Sequence, residues 1–166
     1  LQIVLALQPE ARWDRPWQRL RSVLVNGFLQ DRMLRREWRP GVMHAVIFLG
    51  FMSLLLRKLQ LIVIAYHEPA VFPDGFGGPF AAFKDVIELA VIAAVLYAFW
   101  RRFVARPARL EPNREAVLVL GLILLIMLTD FAFDGFRFAL LGASVPGIAH
   151  ERDFAFAGGA VASALQ

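Results

Sequence analysis

The sequence predicts an all-α transmembrane helical bundle, with about five helices in the full domain and three complete spans plus partial first and last helices in this chain. Three observations predict this fold. Hydrophobic residues make up 58% of the 166 residues, they are gathered into long runs, and Arg-rich segments separate those runs. Soluble domains average roughly 45–50% apolar residues, and a run of about 20 apolar residues is long enough to cross a bilayer as a helix.

Charge and cysteine content narrow the class of protein further. The chain has no Cys, which excludes disulfides, thiolate-bound zinc and iron–sulfur clusters ligated by this chain. Its net charge is +4. A basic protein can bind nucleic acid, but here the charges flank apolar runs, as they do in membrane proteins. Membrane lipid is therefore an expected partner, and nucleic acid is not.

The N-terminal region reads as the end of one helix followed by a polar segment. Residues 1–7 (LQIVLAL) resemble the end of a longer helix, so we expect the chain to be part of a longer one. Residues 8–40 carry eight Arg, with apolar residues at helical spacing and three Trp around them. This pattern favours a cytoplasmic amphipathic helix at the membrane surface, and the alternative is a solvated linker.

Four apolar segments follow. Residues 41–66, 84–102 and 115–138 are predicted transmembrane helices, and residues 154–166 are predicted to start a further one. The predicted loops are residues 67–83, which are rich in Gly and Pro, and residues 141–152.

The distribution of Arg predicts the orientation of these helices. Segments 8–40 and 101–114 hold eight and five Arg, whereas the two predicted loops hold none and one. The positive-inside rule then places the two Arg-rich segments in the cytoplasm.

His44 is the histidine with the clearest functional interpretation. It lies about one helical turn inside an apolar span, where a polar side chain is costly unless it is paired or bound to a metal. A neutral imidazole at this place could be an axial ligand of haem iron, or could bond to a neighbouring helix. Gly41, one turn earlier, leaves room for a porphyrin edge or serves helix packing. His67 and His150 fall in predicted loops.

Charged residues within the apolar runs form a second candidate site. Six of them are expected near one depth in the outer half of the bundle, where unpaired charges are costly and cross-helix ion pairs are the physical expectation. The functional interpretation is a polar pocket for haem propionates, a quinone head group or protons, with Arg57 as the candidate propionate or quinone contact. The alternative is structural pairing, with the long basic side chains reaching the interface. The six residues are Arg57, Lys58, Asp85, Glu88, Asp130 and Asp134.

Several ordered elements resemble a known family. They are Arg19-Leu20, Val23-Leu24, Gln30, Arg32, Pro40-Gly41, His44, Ile47-Phe48, Gly50-Phe51, Lys84-Asp85, Arg101-Arg102, Arg106-Pro107, Arg109-Leu110 and residues 125–129. The chain resembles the N-terminal membrane domain of heterodisulfide-reductase-related (Fe–S)-binding reductases, which include electron-transfer-flavoprotein:menaquinone oxidoreductases. That membrane domain is similar to the gamma subunit of respiratory nitrate reductase. The resemblance covers nearly all of residues 1–166, and the PGxxHxxIFxGF element is its most specific part.

The resemblance implies a multi-pass protein of the bacterial cytoplasmic membrane, the membrane domain of a quinone-linked oxidoreductase. It implies b-type haem at His44, menaquinone or ubiquinone as substrate, and an electron-transfer flavoprotein or an iron–sulfur domain as partner. Iron–sulfur clusters would lie in a missing C-terminal part or on a partner. A second axial ligand is expected beyond residue 166 or on another chain, unless this copy is degenerate. The alternative is a membrane anchor or assembly subunit of a larger respiratory complex, without its own haem. A small transporter is disfavoured because no inverted repeat is visible.

Overall fold

The computed structural model describes residues 14–67, 71–73, 75–108 and 113–165, and every regular element in these ranges is helical. The predicted all-α class is confirmed. The chain divides into two compact units, Leu1–Gly41 and Val42–Gln166. The initial segment at residues 1–7 lies outside the described residues.

The first unit contains short helices. Helix α1 (Pro16–Ser22) continues into a π-helical turn, Val23–Phe28, and α2 spans Asp31–Arg36. Residues with left-handed backbone, Arg15 at φ 51° and Gln30 at φ 53°, precede α1 and α2. The left-handed Gln30 separates α2 from the helix formed by α1 and its π-helical turn, and this helix carries the apolar residues that the sequence places at helical spacing. Its apolar side chains are exposed, among them Trp17, Leu20, Leu24, Phe28 and Leu29.

Gly41 packs tightly within this first unit. A Cβ on Gly41 would lie 2.8 Å from the carbonyl oxygen of Met33 and 2.9 Å from Cα of Leu34. Since backbone atoms cannot move aside as a flexible side chain does, only Gly fits here. The packing interpretation of Gly41 accounts for this close approach, and the porphyrin-edge interpretation stays a prediction.

The remaining helices are longer. They are α3 (Trp38–Ser53), α4 (Leu55–Tyr66), α5 (Gly77–Trp100) with a π-helical turn at Arg101–Ala105, α6 (Arg114–Leu141), α7 (Pro146–Phe154) and α8 (Phe156–Ala164). Two stretches, Trp38–Tyr66 and Arg114–Leu141, are long and apolar enough to cross a membrane. Helix α5 begins at Gly77 instead of at residue 84, and the predicted loop 141–152 contains most of α7, which starts with Pro146 in its first turn.

Two apolar layers form the core of the second unit. One consists of Ala81, Phe138, Ile148, Ala155 and Ala162, and the other of Leu54, Val91, Val95 and Met127. Along α5 and α6, charged residues lie between the two layers. The charged side chains therefore form an internal layer of the helix bundle.

Candidate functional site

Helices α4, α5 and α6 each present polar residues at helical spacing to one another. Residues three or four apart share a helix face, so each of these groups points in one direction. All of the side chains concerned are buried, with at most 8% of their surface exposed. We call six of them the buried charged cluster: Arg57, Lys84, Asp85, Glu88, Asp130 and Asp134.

Arg57 of α4 joins its helix to α6. Its Nε lies 3.2 Å from Oδ2 of Asp130, its Nη2 donates to Oδ1 of Asp134, and its Nη1 donates to Oε1 of Gln60 at 2.8 Å. The guanidinium also lies over the ring of Phe133, 5.6 Å from the centroid. Each nitrogen of Arg57 thus has an internal partner. Arg57 is thus part of internal ion pairs that join two helices, and its contact with a propionate or a quinone stays a prediction.

Lys84 of α5 is the second cation of the cluster. Its Nζ lies 2.9 Å from Oδ2 of Asp134, 3.0 Å from Oδ1 of Asp85 and 3.1 Å from Oε2 of Glu88. It also lies 4.0 Å from Oδ2 of Asp130. A compact ammonium with three donors is well suited to this position among several carboxylates. Asp134 therefore bridges Arg57 and Lys84, and so links three helices.

Asp85 connects the cluster to α8. Its Oδ2 accepts hydrogen bonds from the backbone N–H of Ala157 at 2.7 Å and of Gly158 at 3.3 Å. These two amides belong to the first turn of α8, where N–H groups have no partner within the helix. The positive end of the helix dipole favours a carboxylate at this place. Asp85 thus caps a helix that follows it by 71 residues in the sequence.

A second buried ion pair lies close to the cluster. Nη1 of Arg137 is 2.8 Å from Oε2 of Glu151, and Oε1 of Glu151 accepts from the backbone N–H of Phe72 at 3.4 Å. A cavity of about 10 Å³ separates this pair from the cluster. Its lining consists of Arg57, Gln60, Gly77, Phe80, Ala81, Lys84, Asp134, Phe138 and Glu151. That volume suits about one water molecule, and the lining offers it several polar partners.

The structure brings together five of the six charged residues that the sequence singled out. Lys58 is the exception: it is half-buried, and no ion pair joins it to a carboxylate in the described part of the chain. Sequence reasoning missed Lys84, Gln60, Arg137 and Glu151. The spacing of Lys84 four residues before Glu88 could have revealed the lysine, because that spacing allows an ion pair on one helix face. Glu151 carried no such signal, since it stood in a predicted loop.

The three histidines lie apart from the buried charged cluster. The side chain of His44 is exposed on α3, and no described residue makes a hydrogen bond to its imidazole. His67 and His150 are exposed too, and the ring of His150 packs edge-on against Phe154 at 5.1 Å. Among the described residues, no group of three or more His, Asp or Glu is arranged to hold a metal ion. A metal bound at His44 would need ligands from elsewhere.

The cap on α8 gives a first test of the cluster. Replacing Asp85 with Asn removes the charge that faces Lys84 and the helix end, while the size of the side chain is kept. We expect a loss of about 1–2 kcal/mol in the free energy of unfolding. Asp153→Asn is the matched control, because Asp153 is exposed, and it should change stability by less than about 0.5 kcal/mol. Equal effects of the two substitutions in a thermal-unfolding series would contradict the capping role.

Comparison with known proteins relates this chain to two oxidoreductases. It is 29% identical over 119 residues to the probable iron-sulfur-binding oxidoreductase FadF of Bacillus subtilis, covering 71% of this chain and 17% of that protein. It is 32% identical over 149 residues to the EtfAB:quinone oxidoreductase of Syntrophomonas wolfei, covering 85% of this chain and 20% of that protein. No protein-family model matches the chain, and no solved structure matches it significantly. The chain spans about one fifth of the length of these relatives, and the similarity supports a relationship to an oxidoreductase family.

Proposed function

We propose that this chain is the membrane domain of a quinone-linked oxidoreductase of the bacterial cytoplasmic membrane. In this proposal, electrons arrive from an electron-transfer flavoprotein or an iron–sulfur domain on the cytoplasmic side. They pass through a b-type haem held by His44 and reach menaquinone or ubiquinone in the membrane. The Arg-rich segments 8–40 and 101–114 face the cytoplasm, as their charge predicts.

The names of the two relatives support the electron-transfer part of this proposal. One is described as an iron-sulfur-binding oxidoreductase and the other as acting between EtfAB and quinone. The chain has no Cys, so iron–sulfur clusters would have to be held by another part of the protein or by a partner. A membrane domain that carries electrons between such clusters and quinone fits both observations.

The observation that carries the haem proposal is the position of His44. Its imidazole is exposed on α3, within the stretch Trp38–Tyr66, which is apolar enough to cross a membrane. A polar side chain on the surface of such a helix is costly in lipid unless a ligand or a partner satisfies it. The imidazole nitrogen is available as an axial ligand. Haem iron bound there would supply one-electron transfer, while the protein holds it in position.

Among the described residues, His44 is the one that we propose as an axial ligand of haem iron. His67 and His150 lie on other elements, at the end of α4 and in α7. The second axial ligand in this proposal therefore comes from a segment beyond those described or from another subunit.

A visible spectrum tests the haem proposal directly. Replacing His44 with Ala in the full-length membrane protein should abolish the reduced b-type absorption assigned to this site. His67→Ala is the matched control, because His67 is exposed at the end of α4, and it should keep the absorption. A colourless preparation of the intact wild-type protein would overturn the proposal. That result would favour the alternative, a membrane anchor or assembly subunit of a respiratory complex without its own haem.

A further inference from the structure

The buried charged cluster holds more acidic than basic side chains. Two cations, Arg57 and Lys84, face four carboxyl groups, those of Asp85, Glu88, Asp130 and Asp134. If every group were ionised, the cluster would carry a net charge of −2. All six side chains are at most 6% exposed, so water cannot stabilise that excess. Buried carboxylates without compensation are costly, and taking up a proton removes the cost.

The described groups packed around the cluster offer little further positive charge. Arg137 lies nearby on α6, but it is paired with Glu151 of α7. The first turn of α8 contributes two backbone amides, and these bond to Asp85. The partial charge of a helix end is roughly half an elementary charge, which offsets part of one carboxylate. Gln60 of α4 is neutral and accepts from Arg57. An acidic excess of more than one charge remains.

Glu88 has the environment of a protonated carboxyl group. Its Oε2 lies 3.1 Å from Nζ of Lys84, but no described residue supplies a hydrogen-bond partner to its buried Oε1. The carboxyl group of Asp130 lies around the same ammonium, with its Oδ2 4.0 Å from Nζ of Lys84, so the two carboxyl groups are neighbours. Two carboxyl groups in this relation cannot both be ionised without strong repulsion. A proton on Glu88 gives its carboxyl group a hydrogen-bond donor, and the neighbouring carboxylate of Asp130 has oxygens that can accept from it.

The four carboxyl groups differ in how well their surroundings stabilise the ionised form. Asp130 and Asp134 both accept hydrogen bonds from Arg57, and Asp85 accepts from the amides of α8. These contacts stabilise the ionised forms of the three aspartates. Glu88 has Lys84 as its cationic neighbour, and Lys84 is shared with the other carboxyl groups. The proton is therefore best held by Glu88.

We propose that Glu88 carries a proton at neutral pH and shares it with Asp130, so that the pair is a proton-binding site within the helix bundle. The cavity between the cluster and Glu151 adds room for one water molecule beside Lys84 and Asp134. The ligand of this site is a proton, and the site is separate from His44. It goes beyond the proposed electron-transfer function and does not depend on it.

Infrared difference spectroscopy tests the proposal in the full-length protein, reconstituted into lipid nanodiscs. Between neutral and strongly alkaline pH, we expect the loss of a carbonyl band of a protonated carboxyl group. The band should shift in D₂O and in protein labelled with ¹³C at the glutamate carboxyl carbon. It should be absent in Glu88→Gln and present in the control Glu115→Gln, because Glu115 is exposed at the start of α6. A spectrum in which no band responds to glutamate labelling would overturn the proposal. Because the labelled protein carries no substitution, misfolding of a variant cannot explain that result.

Thermal unfolding gives a second measurement that does not rely on a spectrum. Gln has the shape of protonated Glu and its lack of charge, so Glu88→Gln should unfold at the wild-type temperature. Asp134→Asn removes the charge that binds Arg57 and Lys84, and its unfolding temperature should be clearly lower. Equal destabilisation by the two substitutions would show that Glu88 is ionised. His44→Ala should keep the infrared band. The visible spectrum therefore tests the haem proposal and the infrared band tests the proton site, and either proposal can fail without the other.

Discussion

Replacing Arg57 with Met should lower the free energy of unfolding by about 3–5 kcal/mol, the typical cost of removing one partner of a buried ion pair. Met approximates the length of the arginine stem, so the loss is mainly that of the guanidinium. Asp130 and Asp134 would lose their contacts with Arg57 and would face each other beside Lys84 alone. The cost comes chiefly from the carboxylates that remain without compensation in the interior.

Lys58→Met is the matched control for this substitution. It removes a positive charge from the next residue of the same helix, and Lys58 has no ion pair with a described carboxylate. We expect it to change stability by less than about 0.5 kcal/mol. Unfolding of the solubilised protein in a denaturing detergent, followed by circular dichroism, measures both variants. Similar losses for Arg57→Met and Lys58→Met would contradict the buried ion pairs.

Replacing Gly135 with Val should cost about 3 kcal/mol, at the upper end of the range for overpacking. Helices α6 and α8 pack against each other here, and a Cβ on Gly135 would collide with the side chain of Val161. The backbone nitrogen of Ala162 lies just behind it, 3.4 Å from the same Cβ position. Because small residues let helices approach this closely, any side chain at residue 135 must push α8 away from α6.

Two further variants separate a collision from an effect of helix propensity. Gly121→Val places the same residue on the same helix, where nothing lies within 4 Å of the new Cβ. It should leave stability unchanged or raise it slightly, since Val is a better helix former than Gly. Val161→Ala, added to Gly135→Val, should restore part of the loss because it removes the colliding methyl groups. Lack of any rescue in the double variant, measured by the same unfolding assay, would argue against this packing.

The comparison of Arg57 with Lys58 shows where sequence reasoning reached its limit. Both residues were assigned to the same polar set because they share a depth in the apolar run. Successive residues on an α-helix are rotated by about 100° from one another. One of them therefore faces α5 and α6 while the other turns away. Depth along a helix can be read from the sequence, but the rotation of the helix about its axis depends on its packing partners.

The sequence by itself determined the all-α class, the approximate positions of the long helices and five of the charged residues whose charge had to be compensated. These properties follow from local composition and from the cost of burying charge, which need no knowledge of neighbours. Only the tertiary structure decided that Lys84 is the second cation, that Asp85 caps α8 and that Gly41 packs against α2. Each of these facts joins residues on different helices. Contacts of that kind are set by the fit of whole helix surfaces, so they appear only when the chain is folded.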